Sequence, residues 1–272
     1  MAICFPPVTL AYLSPDQLPP RVIAAGWRRG LHVRGALGSG PAVAIVGARA
    51  ATQVGMERAH LLAKHLAARG VVVVSGGALG IDGAAHRGAL AGGGPTLVVL
   101  GSGVDVLYPR RHAPLFEQII AAGGALVSMF PLGQGPRPGT FPARNPLVAA
   151  LADAVIVVEA DVKSGSLSTA VAARRLGRPV AAWPGSRGCA SLLATGAAIV
   201  ESAADADALL AGTPRLAAPV QLELDPIAAR VAAALRAGAR GVDGVVVATG
   251  LSVREVLRAL PAIEGTFSGR QS

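Results

Sequence analysis

Apolar residues in this chain gather in short unbroken runs, and most runs are followed by a segment in which they recur every three or four positions. A run without alternation predicts a strand buried on both faces, and the longer period predicts an amphipathic helix. On this pattern strands are predicted at Ala42–Val46, Val71–Val74, Thr96–Leu100, Ala125–Ser128, Ala154–Val158, Pro179–Ala182 and Ala197–Val200. Helices are predicted at about Val54–Arg69, from an N-cap at Asp82 to Gly92-Gly-Gly-Pro95, and at about Ala113–Ala122, Ala143–Ala152, Thr169–Leu176 and Ala203–Leu210. A further short helix follows Pro184-Gly-Ser186, and Pro146 marks the first turn of the helix it belongs to. Strands alternating with helices build an α/β fold, a parallel sheet with helices on both faces and its ligands at the carboxyl ends of the strands.

The flanks read differently. Residues 1–41, with Pro6-Pro7 and Pro19-Pro20, predict a short irregular extension holding a small helix near Trp27-Arg-Arg-Gly30 and an edge strand at Leu31–Gly35. Gly212, Pro214 and Pro219 mark a linker over 211–221. Beyond it, helices at Ile227–Ala237, Val242–Ala248 and Ser252–Leu260, the first opened by an Asp225-Pro226 cap, follow the helix-turn-helix plan. The predicted organisation is an extension (1–41), a ligand-binding α/β domain (42–210), the linker, and a small all-α domain (222–272).

Composition narrows the partners. A length of 272 residues and 52% hydrophobic content suffice for one large core and a small one. The net charge of +9 points towards a polyanion. The competing explanation is an arginine-favouring genome, since Lys64 and Lys163 are the only lysines among 25 basic residues. The charge is uneven: residues 1–220 carry 19 basic and 11 acidic residues, residues 221–272 carry 6 and 5. The positive field therefore belongs to the large domain. Two cysteines, Cys4 and Cys189, cannot build a disulfide framework and fit a reducing compartment. Met1-Ala-Ile-Cys-Phe-Pro6-Pro7 lacks a basic lead, and no apolar run approaches the roughly 18 residues of a membrane helix. A cytoplasmic protein without membrane contact is the expectation.

No metal-ligand spacing, nucleophile elbow, Walker A loop or complete dinucleotide fingerprint is present, so neither a metal nor an organic cofactor is expected. What remains is a set of loops at predicted strand ends. Gly47-Ala-Arg49 either sets a guanidinium over a phosphate or is an ordinary strand-to-helix turn. Ser75-Gly76-Gly77-Ala-Leu-Gly80-Ile-Asp82 is favoured as a phosphate cradle over tight strand–helix packing. Arg137, Phe141, Arg144 and Asn145 border a proline-stiffened loop over 129–142. There an aromatic among cations can stack on a base, worth about 1–3 kcal/mol, or can instead anchor the loop in the core. Lys163-Ser164-Gly165-Ser166 either binds phosphate or caps a helix. His86 reads as a packing histidine.

Together these stretches resemble the DNA-processing protein A family (DprA/Smf). The resemblance rests on Gly47-Ala-Arg49, Ser75–Asp82, Ala84-Ala-His86-Arg-Gly-Ala-Leu90, Leu100–Asp105 with Tyr108-Pro109, Phe141-Pro-Ala-Arg144-Asn145, Val157-Val-Glu159, Lys163-Ser-Gly-Ser166 and Pro184-Gly-Ser186, in order over about residues 31–210. It implies an extended Rossmann-like domain that binds single-stranded DNA without cleaving it, and a tail like the family's winged-helix domain. It also implies a homodimer that protects incoming strands during natural transformation and helps load the RecA recombinase. Carried over by motif, Arg49 would hold a phosphate, with Ser75, Gly76 and Gly77 lining the pocket beside it. Phe141 would lie against a base in the segment that includes Arg144 and Asn145. Lys163, Ser164 and Ser166 match the family's K-S-G-S loop, and Arg137 is a looser match. Leu79, Met129 and Pro146 stand where the family carries polar residues, which predicts a lower DNA affinity than is typical.

The alternative is a nucleotide-binding enzyme resembling nucleoside-monophosphate phosphoribohydrolases, with Glu159 as its acid. The chain lacks the P-G-G-x-G-T-x-x-E run such enzymes carry. A sequence-reading transcription regulator would need a more basic tail than this one.

Overall fold

The computed structural model describes residues 10–216 and 226–267. Cys4, Pro6-Pro7, residues 217–221 of the predicted linker and the Asp225 cap lie outside the described residues. The chain divides into two compact units, Met1–Pro219 and Val220–Ser272.

In the first unit the elements are β1 (Leu10–Leu13), α1 (Pro20–Ala24), β2 (Leu31–Gly35), β3 (Ala42–Val46), α2 (Gln53–Ala68), β4 (Val72–Ser75), α3 (Ile81–Ala91), β5 (Thr96–Val99), α4 (Ala113–Ala121), β6 (Ala125–Ser128), α5 (Thr140–Ala150), β7 (Ala154–Val157), α6 (Ser166–Arg175), β8 (Val180–Ala182), α7 (Arg187–Ala194), β9 (Ala198–Ile199) and α8 (Ala203–Leu210). The strands form one sheet in the order β1-β2-β6-β5-β4-β3-β7-β8-β9. From β6 to β9 every pairing is parallel. All seven strands predicted from the apolar runs are there.

Residues of β3, β4, β5, β6 and β7 are buried throughout, as the unbroken runs require. Their side chains feed two layers. On one face Ala44, Val74, Val99, Val127 and Val157 pack with Val22 of α1, Leu147 of α5 and Leu151 just beyond it, and Ala170 of α6. On the other, Val43, Ile45, Val73 and Ile156 pack with Leu62 and Leu66 of α2, Ile81 and Ala85 of α3, and Leu209 of α8. Phe116 and Ile119 of α4 extend that layer over Val98 and Leu126. This is the α/β fold with helices on both faces that the periodicity predicts.

Three expectations change. Residues 31–35 form an inner strand: β2 lies between β6 and β1 and runs antiparallel to both. The sheet is therefore mixed at this edge, and residues 10–35 are built into the main core rather than packed on it. The small helix forms at Pro20–Ala24, where Pro20 suits a first turn, and not at 27–30. Pro146 sits in the interior of α5, which begins at Thr140. The carbonyl it leaves without an i+4 donor is that of Pro142, and both prolines are exposed, so water can serve that oxygen.

The second unit holds α9 (Pro226–Arg236), α10 (Gly241–Thr249) and α11 (Val253–Phe267). Val231, Ala232, Val245, Leu251, Val256 and Ala259 form its core. Gly250 ends α10 in the left-handed region, φ 67°. Ser252 and Glu255 form a reciprocal cap at the start of α11: the Ser252 N–H and hydroxyl both donate to Glu255 Oε2, at 2.8 and 2.7 Å. No helix among the described residues is long and apolar enough to cross a membrane.

Candidate functional site

The sheet order reverses direction between β3 and β7: successive crossovers run one way from β3 through β4 and β5, and the other way from β7 to β8. The loops leaving two such neighbouring strands diverge and open a crevice at their carboxyl ends. A cavity of about 580 Å³ lies there. Its wall draws Gly47 to Ala50 from the loop after β3, Ala78 and Asp82 from the loop and helix after β4, Phe141 to Asn145 (without Ala143) from α5, and Lys163 to Ser166 from the loop after β7.

Backbone contacts fasten these loops to one another. Ala48 N–H donates to the Glu159 carbonyl at 2.7 Å, and Ile81 N–H to the Ala48 carbonyl at 3.2 Å. The Glu159 carboxylate accepts from Thr52 N–H and, at 2.6 Å, from the Thr52 hydroxyl, which in turn caps α2 through Gly55 N–H. A carboxylate at a helix N-terminus is favoured by the helix dipole. Gly80 makes the crossing of the two glycine loops possible. Its φ is 75°, and a Cβ there would stand 2.3 Å from the Ala48 carbonyl oxygen and 2.6 Å from that of Arg49. Both strain and overlap oppose a side chain, so Gly80→Ala is expected to destabilise the unit by about 2–3 kcal/mol in denaturant unfolding. A loss under about 0.5 kcal/mol, the level of an ordinary surface change, would contradict this packing.

At the floor of the cavity a charge is held away from water. Arg144 is 4% exposed and Asp82 6%. The Asp82 carboxylate accepts from Ala78 N–H at 3.2 Å. Burial raises its pKa, with the charge of Arg144 opposing. Burial likewise lowers Arg144 to about 10, with Asp82 opposing and Arg49 adding to the depression. Arg144 Nε is buried without a hydrogen-bond partner. The guanidinium lies against Gly76, where a Cβ would meet Nη1 in hard overlap. A desolvated guanidinium on a cavity wall, with Asp82 acting on it at longer range but no carboxylate in ion-pair contact among the described residues, favours an anion in that cavity.

Above it, the Arg49 guanidinium covers the Phe141 ring, 4.9 Å from its centroid. The ring also packs against Gly101, and the Tyr108 ring is 5.6 Å away. Arg49 and Lys163 are exposed at the mouth. The hydroxyls of Ser164 and Ser166 share a hydrogen bond of 2.7 Å at the start of α6, whose first-turn amides add to the anion preference of the wall.

The sequence-predicted residues thus divide. Arg49, Phe141, Arg144, Asn145, Lys163, Ser164 and Ser166 share one wall. Asn145 turns its amide to Gly165 O at 3.0 Å and to Ser168 Oγ at 2.6 Å, so it braces the Lys163–Ser166 loop. Ser75, Gly76 and Gly77 are buried behind the wall: Ser75 donates to the Ile45 carbonyl at 2.6 Å, Gly76 makes room for Arg144, and Gly77 packs on Val98 and Phe116. Arg137 is exposed outside the cavity, and its carbonyl accepts from Thr140 Oγ1. Asp82 does not cap α3. The helix starts at Ile81 with Gly80 in the cap position, and the Asp82 carboxylate turns inward to Ala78 N–H. Asp82 on the cavity wall and Tyr108 beside Phe141 are two residues that spacing alone missed. A lone acid closing a glycine-rich loop was the available signal for the first; the second needed the fold.

The family described as DNA recombination-mediator protein A matches residues 28–210. A DprA-type DNA processing protein of Mycobacterium tuberculosis is 44% identical over 237 residues, 82% of this chain and 60% of that protein. The chain spans about 60% or less of the length of the first curated relatives it matches. Among solved structures, DNA processing protein A of Streptococcus pneumoniae superposes with a TM-score of 0.68 at 36% identity, over 74% of each chain. The Helicobacter pylori protein, whose structure was determined for its single-stranded DNA binding mode, gives 0.68 at 31% identity over 77% of this chain and 99% of that one. With the strand order, the cavity and the match all falling on the same residues, the chain belongs to the DNA recombination-mediator protein A family.

Proposed function

We propose that the cavity receives single-stranded DNA, and that the chain acts as a recombination mediator and not as an enzyme. One observation carries the reading: Arg144 is nearly fully buried, lacks a counter-charge within ion-pair distance among the described residues, Asp82 acting on it only at longer range, and stands on the wall of an open cavity. Phosphate oxygens would supply that counter-charge, with Arg49 and Lys163 at the mouth adding to the field. Phe141 gives the same wall an aromatic surface for a base. The binding mode named for the Helicobacter pylori relative agrees with this.

The mononucleotide-enzyme alternative is not favoured. Glu159, its acid, has its carboxylate engaged by Thr52 and contributes nothing to the cavity wall. By family membership we extend the proposal to protection of incoming strands in natural transformation and assistance to RecA loading, by a cytoplasmic homodimer without a cofactor. Residues 42–210 would carry the DNA and residues 222–272 a protein contact. In support of the latter, Val253 and Leu257 stand exposed one turn apart on α11.

The test is binding of a labelled single strand and a duplex across a salt series. Preference for the single strand with steep salt dependence is expected; equal or negligible binding to both would overturn the reading. Arg49→Ala is expected to weaken binding and lower the salt slope by about 0.7, the value for one phosphate contact on a single strand. Phe141→Ala is expected to weaken it by about 1–3 kcal/mol with the slope kept. Full affinity in both variants would remove Arg49 and Phe141 from the site.

A further inference from the structure

We propose that a strand seated in the cavity continues along the carboxyl rim of the sheet to the β1–β2 edge, where Arg28 and Arg29 hold its phosphates and Tyr12 stacks on a base. The proposal rests on reading the cavity as a single-strand site.

The register puts the two places on one rim. β2 is antiparallel to β6, so its first residues lie beside the last residues of the parallel strands: His32 pairs with Ser128, and Tyr12 of β1 pairs with His32. Arg28 and Arg29, which lead into β2, therefore stand at the end of the sheet where the cavity opens. With Tyr12, His32, Met129 and Pro131 they line an open depression of about 430 Å³. In sheet order β2 is four steps from β3, through β4, β5 and β6. At about 4.8 Å per step the depression is about 19 Å from the Arg49 loop, a distance a few nucleotides cross.

The chemistry suits a single strand. Arg28 and Arg29 are exposed and form no ion pair among the described residues, whereas Arg34 farther along β2 is committed to Glu117 at 2.9 Å. Tyr12 is 59% exposed. Its ring rests on His32, centroids 5.0 Å apart, and its hydroxyl end lies over Gly30, where any Cβ would collide with it. The ring is thus held in place with area left open to solvent. The chain has only two tyrosines, and the other, Tyr108, is also exposed, on this same rim against Phe141. Between the two sites in sheet order, Arg110 and Arg111 follow β5 and Arg137 follows β6, all three exposed. Cations interleaved with open aromatic faces are what a sequence-tolerant single-strand path requires.

Strand length separates this proposal from the one beneath it. The full chain is titrated with labelled oligothymidylates of about six and about twenty-five nucleotides, across a salt series, beside a duplex of the longer length. The Arg28→Ala/Arg29→Ala double variant is expected to lose about ten-fold in affinity for the long strand and about 1.4 of its salt slope, two contacts at about 0.7 each, while its affinity for the short strand stays within about two-fold. Tyr12→Leu is expected to weaken the long strand alone and keep the slope. All three side chains are exposed, and unchanged melting temperatures check that the variants fold. If both variants bind the long strand normally while Arg49→Ala weakens both lengths, the extension is wrong and the cavity reading stands. Equal weakening of short and long strands, or of strand and duplex, also overturns the extension. An Arg49→Ala variant without effect at either length would instead count against the cavity itself.

Discussion

Replacing Arg144 with leucine is expected to lower affinity for single-stranded DNA by about 30- to 100-fold, the largest loss from any single residue of the site. Hydrogen bonds to charged groups contribute about 1.5–3 kcal/mol, and those of Arg144 would form where water is already excluded. Arg49, exposed at the mouth, works in a higher dielectric and is expected to matter less. A second variant separates charge from position. Gly76→Ala changes the identity of no cavity residue, but its Cβ would overlap the Arg144 guanidinium. The arginine must then shift into the cavity, so Gly76→Ala is expected to reproduce much of the loss. Fluorescence anisotropy on both variants is the measurement. Arg144→Leu also removes the positive charge that opposes the raised pKa of Asp82, so that carboxyl is expected to hold its proton more firmly. Near-normal affinity in a folded Arg144→Leu protein would show that the buried cation serves the fold alone.

The second large effect concerns acid stability and His86. This residue is fully buried, and its Nδ1 pairs with Thr96 Oγ1 at 2.8 Å. Because the Thr96 hydroxyl donates to the Val73 carbonyl, it accepts from the imidazole, which places the proton on Nδ1. Nε2 is then a buried acceptor without a partner. Protonating it would create a buried cation beside other positive charge. Burial first, then His112, Arg144 and Arg87, push its pKa down to about 3. The sign follows directly. Unfolded, the imidazole gains a proton below about pH 6.5; folded, it does not until about pH 3, so stability is full above about 6.5 and falls as pH drops between the two. At about 1.4 kcal/mol per unit, the loss is about 2 kcal/mol at pH 5 and approaches about 5 kcal/mol near pH 3. Asp82 contributes with the opposite sign, since its raised pKa makes the folded state the better proton binder just above the ordinary carboxyl range. Comparison with His86→Asn, whose amide can still donate to Thr96, cancels that term. The parent is expected to lose stability faster than the variant from pH 7 to pH 4 in urea unfolding. Parallel curves would mean that His86 protonates inside the fold without penalty.

Both predictions depend on contacts that no local pattern encodes. Arg144 follows Phe141-Pro-Ala in a proline-rich stretch and reads as a loop-border cation offered to a ligand. It is buried because α5 starts at Thr140, three residues earlier than the apolar period suggests, and because Gly76, 68 positions away in the chain, leaves room for it. His86 reads correctly as a packing residue on a helix, but its unsatisfied nitrogen is visible only once β5 brings Thr96 beneath it. Ser75 looks like a phosphate ligand in a glycine-rich loop, yet the parallel pairing of β4 with β3 puts the Ile45 carbonyl 2.6 Å from its hydroxyl.

What the sequence determined by itself is the strands and helices from Ala42 onward and the end of the sheet where a ligand belongs. Val43-Ala-Ile-Val46, Val72-Val-Val74 and Val155-Ile-Val157 can be little but doubly buried strands, because leaving so many adjacent apolar side chains in water is unfavourable in any fold. The glycine and polar residues that follow them are local as well. The motif spacing even named most of the cavity wall. Tertiary structure alone decided which side chains face the ligand and which hold the loops. It turned Asn145 onto Gly165, Asp82 inward, and Glu159 onto Thr52, and it drew residues 10–35 into the sheet beside β6. The reason is physical. Burial of a run depends on the run itself, but the partner of a polar atom depends on which strands become neighbours, and in a sheet whose order reverses between β3 and β7 those neighbours come from distant parts of the chain.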